Sequence, residues 1–140
     1  LLFRKDDSNF TDFKSDFENA IQQLINNPEV RMINRNRGSG TRILLDHLLT
    51  DQRPAGFFQE AKSHNSVAAA ISQNRADWGI AIRSVAEDLG LGFYPIQDEE
   101  YDFILPKNRL ERPEVALFLS LLQETEIQNK LAKFGLRTTN

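Results

Sequence analysis

The nine residues Asn34 to Arg42, Asn-Arg-Asn-Arg-Gly-Ser-Gly-Thr-Arg, constrain the fold more than any other part of this chain. They follow a short apolar run, Val30, Met32 and Ile33, and precede Ile43-Leu44-Leu45 and Leu48-Leu49 at helical spacing. The pattern reads as a strand, a glycine-rich turn and a helix. A helix start presents backbone N–H groups without intrahelical partners and a partial positive charge, so it favours an anion. Gly38 and Gly40 let the backbone approach a ligand closely. Ser39 and Thr41 add hydroxyl donors, and Arg35, Arg37 and Arg42 add positive charge. Spacing leaves two readings open: an oxyanion cradle, or a strand-to-helix connection that carries an N-cap and no ligand.

The chain carries a net charge of −3, which argues against a general nucleic-acid or membrane-surface binder. Against that background four arginines, Arg31, Arg35, Arg37 and Arg42, form a local basic cluster. Such charges repel one another unless solvent or an anion relieves them, although Arg31 and Arg35 read equally well as solvated surface residues. Hydrophobic content of 40% and charged content of 26% are those of a soluble globular protein. There is no cysteine, which excludes disulfides, thiolate metal sites and cysteine nucleophiles. No apolar run reaches the roughly 18–20 residues a membrane span needs, and no signal peptide is visible. The reading is a cytoplasmic protein with no membrane segment and no direct nucleic-acid contact. The chain opens on Leu1 rather than methionine and is read as part of something longer.

The remaining segments alternate in type. Leu1 to Arg4 reads as a stub of extended chain. A helix is expected from a Thr11 cap, with Phe13, Phe17, Ala20, Ile21 and Leu24 on one face, ending at Asn26-Asn27-Pro28. A third helix is expected from a Ser63 cap through Asn74, and a short buried strand from Ala76 to Ile82. A helix opening at Ser84 stops at Gly90, and Phe93 to Ile96 and Tyr101 to Leu105 read as strands. Pro113 opens a long last helix over 113–134, with Val115, Phe118, Leu121, Leu122, Ile127, Leu131 and Phe134 as its inner stripe. Strands alternating with helices imply an α/β layer fold with a largely parallel or mixed sheet, residues 1–140 forming one ligand-binding lobe. Ligands in such folds sit outside the carboxyl ends of strands.

Ser63-His64 is the second candidate for chemistry. As a cap followed by an exposed histidine it carries none. As a second helix start facing the first, it adds a hydroxyl and an imidazole to one anion site. Ser39 also suits a hydrolase nucleophile, with His47 or His64 as base and Asp46, Asp77 or Asp102 as orienter. Arg37 and Thr41 replace the glycines of a nucleophile elbow, which argues against that reading. The loop is neither a Walker A loop nor a dinucleotide fingerprint. Asp98 to Asp102 lacks calcium-loop spacing, and no metal site is expected. Tyr101, at a strand end, is a candidate pocket wall.

Asn34-Arg35-x-Arg37-Gly38-Ser39-Gly40-Thr41-Arg42 followed by Leu44-Leu45-Asp46-His47-Leu48-Leu49 resembles the periplasmic-binding-protein-like domain at the C-terminus of some molybdopterin molybdotransferases. The same domain occurs behind helix-turn-helix or excisionase-type DNA-binding domains. The resemblance continues through Ser63-His64-x-x-Val67-Ala68-x-Ala70, Ala76-Asp77-x-Gly79-Ile80, Leu89-Gly90-Leu91-x-Phe93-x-Pro95 and Glu99-x-Tyr101-Asp102. It implies a type II periplasmic-binding-protein-like fold, here a three-layer helix-sheet-helix second lobe with a mixed, mainly parallel sheet. Gln73-Asn74-Arg75 departs from the pattern, replacing a glycine-bearing turn.

The resemblance further implies a non-catalytic domain, related to molybdate-binding proteins and LysR-type effector domains, with no cofactor of its own. Its ligand would be an oxyanion, molybdate or tungstate, or a molybdenum-cofactor-related molecule. The implied ligand-binding residues are Arg37, Gly38, Ser39, Gly40, Thr41, Arg42, Ser63, His64 and Tyr101. The expected partners are a small anion, a first lobe and a fused upstream domain such as a molybdotransferase. The apolar surface such a first lobe would cover implies self-association of this chain as a homo-oligomer. The alternative is an effector-binding and dimerisation module of a transcriptional regulator with an unrelated small anionic ligand.

Overall fold

The computed structural model describes residues 1–11, 13, 16–99 and 102–137. The chain divides into two compact units, Leu1–Ile96 and Gln97–Asn140.

The first unit is a five-stranded mixed sheet between helices. Its strands are β1 (Leu2–Phe3), β2 (Met32–Arg35), β3 (Glu60–Ala61), β4 (Trp78–Gly79) and β5 (Gly92–Phe93), in the order β3-β2-β4-β1-β5. β2 pairs in parallel with β3 and β4, and β1 pairs antiparallel with β4 and β5. Four strands therefore run one way and β1 runs against them. All four residues of β2 are buried, as expected of a strand covered on both faces. Alternation sorts its side chains: Met32 joins the core on one face and Ile33 the core on the other.

The first core packs against α1 (Phe17–Asn26) and α2 (Gly40–Leu49), and the second against α3 (His64–Ser72) and α4 (Arg83–Asp88). α2 carries the chain from β2 outward to β3 over one face. α3 then carries it back past β2 to β4 over the other. Reversing direction and face together keeps each parallel crossover of one hand. Where successive connections leave for opposite faces, a crevice opens at the carboxyl ends of the strands. By that rule the place for a ligand is at the carboxyl ends of β2 and β3.

Several expectations change. The Leu1–Arg4 stub is a paired interior strand. Phe3 stacks on Phe10 at 4.7 Å between ring centroids and anchors an aromatic cluster with Phe13, Phe17 and Tyr94. Thr11 is not the cap of α1. Its hydroxyl donates to Ser8 O at the end of a short 3₁₀ turn, Ser8–Phe10, while Asp16 caps α1 by accepting from Asn19 N at 3.1 Å. Two charged oxygens accept hydrogen bonds, and Asp competes strongly for the N-cap position.

The second unit holds α5 (Pro113–Gln123) and α6 (Thr125–Lys133), so the long helix over 113–134 is two helices. Glu124 between them is extended, with φ −73° and ψ 129°. The phase of the apolar residues explains the break. At about 100° per residue, Ile127 would fall roughly 140° around a continuous helix from Leu122, off the stripe. Residues 102–105 form no strand: Ile104 is 93% exposed and the segment has no strand partner among the described residues. Tyr101 lies outside the described residues.

Candidate anion-binding site

β2 ends at Arg35, and the next residues turn sharply into α2. Gly38 has φ +86°, a conformation that L side chains rarely adopt, which is why glycine stands there. Ser39 is the N-cap of α2: its hydroxyl accepts from Arg42 N at 3.1 Å and donates to Asn36 O at 3.1 Å. Both of its hydrogen-bonding roles are thus engaged in shaping the turn, which is the work of a cap rather than of a nucleophile. Ser63, after β3, repeats the arrangement at α3, accepting from Ser66 N at 3.1 Å. Two serine-capped helix starts therefore follow neighbouring strands. The first N–H groups of each helix have no intrahelical acceptor.

The arginine cluster of the sequence is dispersed in space. Arg31 lies at the other end of β2, about 13 Å of extended chain from Arg35 at ~3.3 Å per residue. Its backbone N–H donates to Asp77 Oδ2 at 2.7 Å, and Asp77 also accepts from Arg4 Nη2 at 2.8 Å. Arg37 is exposed and has no ion-pair partner among the described residues. Thr41 is buried on α2.

Arg42 is buried and committed to protein partners. Its Nε donates to Asp46 Oδ1 at 2.7 Å, and its Nη1 donates to Arg35 O at 3.1 Å and Glu60 Oε1 at 3.0 Å. The guanidinium also lies over the Phe57 ring, 5.2 Å from its centroid. The hydrogen bond to Asp46 is the main reason its proton is held above the ordinary guanidinium range, against the opposing effect of burial, with Glu60 adding to the hold. Arg42 ties α2 to the ends of β2 and β3.

Arg35, which the sequence offers equally well as a solvated surface residue, is different. It is only 7% exposed. Its Nη1 lies 3.1 Å from His64 Nδ1, at the first turn of α3, which joins the end of β2 to the start of α3. The same Nη1 lies 3.4 Å from His64 Nε2, so the guanidinium sits against the ring within reach of both nitrogens. Among the described residues, buried Arg35 Nε has no hydrogen-bond partner, and neither does Asn36 Oδ1, the next residue along. No carboxylate pairs with Arg35 among the described residues. The available signal was its position: a polar residue ending a strand buried on both faces has to sit at the crevice.

Of the residues the sequence singled out, Arg37, Gly38, Ser39 and Gly40 lie along the turn, and Ser63 and His64 form the opposite start. A groove of about 450 Å³ lies elsewhere, on the flank of β3 and α3, lined by Ala61, Lys62, Ser66, Ala69 and Arg75 among others. It contains none of the predicted site residues. Among the described residues there is no group of three or more side chains suited to holding a metal ion. No helix among them is long and apolar enough to cross a membrane.

A family model for the PBP superfamily domain matches residues 16–123. The chain belongs to the PBP superfamily. The match opens at the Asp16 cap and closes with the last residue of α5, so β1 and α6 lie outside it. Among curated proteins, the "Uncharacterized protein YvgK" of Bacillus subtilis (strain 168) is 36% identical over 84 residues, which is 56% of this chain and 27% of that protein. The chain thus spans little more than a quarter of that relative's length. No solved structure matches it. A PBP superfamily domain is a small-ligand-binding module and is generally non-catalytic.

Proposed function

We propose that this PBP superfamily domain binds a small oxyanion at the carboxyl end of β2, with molybdate or tungstate, or a molybdenum-cofactor-related anion, as the leading ligands. One observation carries the reading: two serine-capped helix starts follow neighbouring parallel strands to one sheet edge, where Arg35 at the end of β2 contacts His64 at the start of α3. In this reading the backbone N–H groups of Gly40 and Thr41 are the turn's donors, with Gly38 and the Ser39 cap setting its shape, and Ser63 and His64 offer those of the second start. Arg37 is the solvent-facing cation at the mouth, and Arg42 holds the turn in shape. Tyr101 is a proposed wall residue.

Magnitudes limit what one lobe does alone. A charge-assisted hydrogen bond contributes about 1.5–3 kcal/mol and a helix end roughly 0.3–1 kcal/mol. Immobilising the ligand costs several kcal/mol, so a few donors on one lobe give about millimolar affinity. A first lobe closing over the crevice would exclude water and strengthen each contact. The biological setting we propose is molybdopterin biosynthesis or its regulation, within a longer protein. The experiment is calorimetric titration of this chain and of its longer parent with molybdate, tungstate, sulfate and phosphate. Selective binding by the parent and weak binding by the chain are expected. No binding of any of them by either protein would refute the reading.

A second reading, an effector-binding and dimerisation module of a transcriptional regulator, is favoured by α5, which is apolar around its circumference with Leu117 and Leu119 exposed. Light scattering that finds only monomer would count against it.

A further inference from the structure

We propose that Arg35 is the primary receptor of the anion and that His64 positions it, an inference that rests on the oxyanion reading above. A charged side chain this deeply buried is costly unless it is paired and its donors are satisfied. Arg42, seven residues away, meets that condition with two carboxylates, a carbonyl and an aromatic ring. Arg35 is equally buried, yet among the described residues it meets no carboxylate, its Nε has no acceptor, and Nη1 has only the imidazole. The two arginines share one strand-to-helix connection and solve the same problem differently. One is a completed structural clamp, and the other has an open demand for an acceptor.

The demand has a shape. With Nη1 held by His64, the remaining edge of the guanidinium, Nε with Nη2, is a two-donor fork. Such a fork matches two oxygens of one oxyanion. Nε is closed to solvent as the chain stands. Engagement therefore requires the side chain to turn toward the crevice mouth, pivoting on the His64 contact. The ligand class that follows is an anion presenting two oxygens about one centre.

The test uses Arg35→Met and Arg35→Lys beside the wild-type chain. Melting temperature and calorimetry are recorded in sulfate, phosphate or molybdate against chloride at constant ionic strength. The wild-type Nε–H resonance is followed by NMR through the same titrations. An anion-dependent rise in melting temperature is expected for wild type and not for Arg35→Met. Arg35→Met, relieved of an unpaired buried charge, is expected to melt no lower than wild type in chloride. Arg35→Lys keeps the charge and loses the fork, and its affinity should fall roughly tenfold or more.

An equal anion response in wild type and Arg35→Met would overturn the inference and leave the oxyanion reading standing. No response of wild type to any anion would overturn the inference, and the oxyanion reading falls with it when the longer parent binds none of them either. Should Arg35→Met fail to fold, the Nε–H resonance decides on wild type alone: movement on saturation supports the proposal, and an unmoved resonance refutes it.

Discussion

At the scale of single residues, the connection after β2 separates shape from charge. Ser39 and Gly38 set the path of the chain, and Arg42 fastens it. Arg42→Met should remove the links from α2 to Asp46, Glu60 and Arg35 O while keeping the bulk of the side chain. Both carboxylates are partly solvated, with side chains 49% and 40% exposed, so water can take up what they lose. The expected loss is about 2–3 kcal/mol, below the ~3–5 kcal/mol for breaking a fully buried pair. Urea unfolding measures it, and a change within 0.5 kcal/mol (an order-of-magnitude bound for an ordinary surface site) would mean that the clamp is decorative. The residue alphabet made the turn readable because glycine, serine and arginine each have narrow uses there. It did not separate Arg35 from Arg42, since burial and partnership depend on β3 and α3, which are remote in sequence.

At the scale of elements, legibility followed the length and phase of the pattern. α2 and α3 were readable with their serine caps, because cap and apolar period agree. β3 leaves no signal and β1 reads as a stub, because each is two residues long and owes its existence to a neighbour. The break at Glu124 was written in the sequence as a phase slip, visible only when spacings are measured rather than listed together. The departure at Gln73-Asn74-Arg75 also resolves. Asn74 has φ 57°, the left-handed conformation that glycine adopts freely and asparagine tolerates better than most residues. Its carbonyl accepts from Arg31 Nη2 at 3.1 Å, so the turn is also tied to the start of β2. Asn74→Gly should stay within about 0.5 kcal/mol of wild type, and Asn74→Val should lose about 1–2 kcal/mol. Equal thermal stability of the two variants would show that the left-handed turn is not under conformational stress. Gly56 is less forgiving. A Cβ there would lie 2.1 Å from Met32 O, so Gly56→Ala should cost more than about 3 kcal/mol or prevent folding. A soluble, normally stable Gly56→Ala protein would contradict that packing.

At the scale of the whole molecule, every large fully buried side chain among the described residues belongs to the first unit, and β1 is the element that ties its sheet together. β1 sits between β4 and β5, so its position is enforced from both sides. Leu1 N donates to Tyr94 O at 2.7 Å, so the pairing with the segment after β5 runs one residue beyond β1. The Leu2 side chain is fully buried, and Leu2 pairs with Gly79 on one side and Phe93 on the other. Leu2→Asp puts a carboxylate there with nothing to pair it, so it should cost more than about 3 kcal/mol or prevent folding. Urea unfolding measures the loss. A normally stable Leu2→Asp protein would show that β1 does not hold the centre of the sheet.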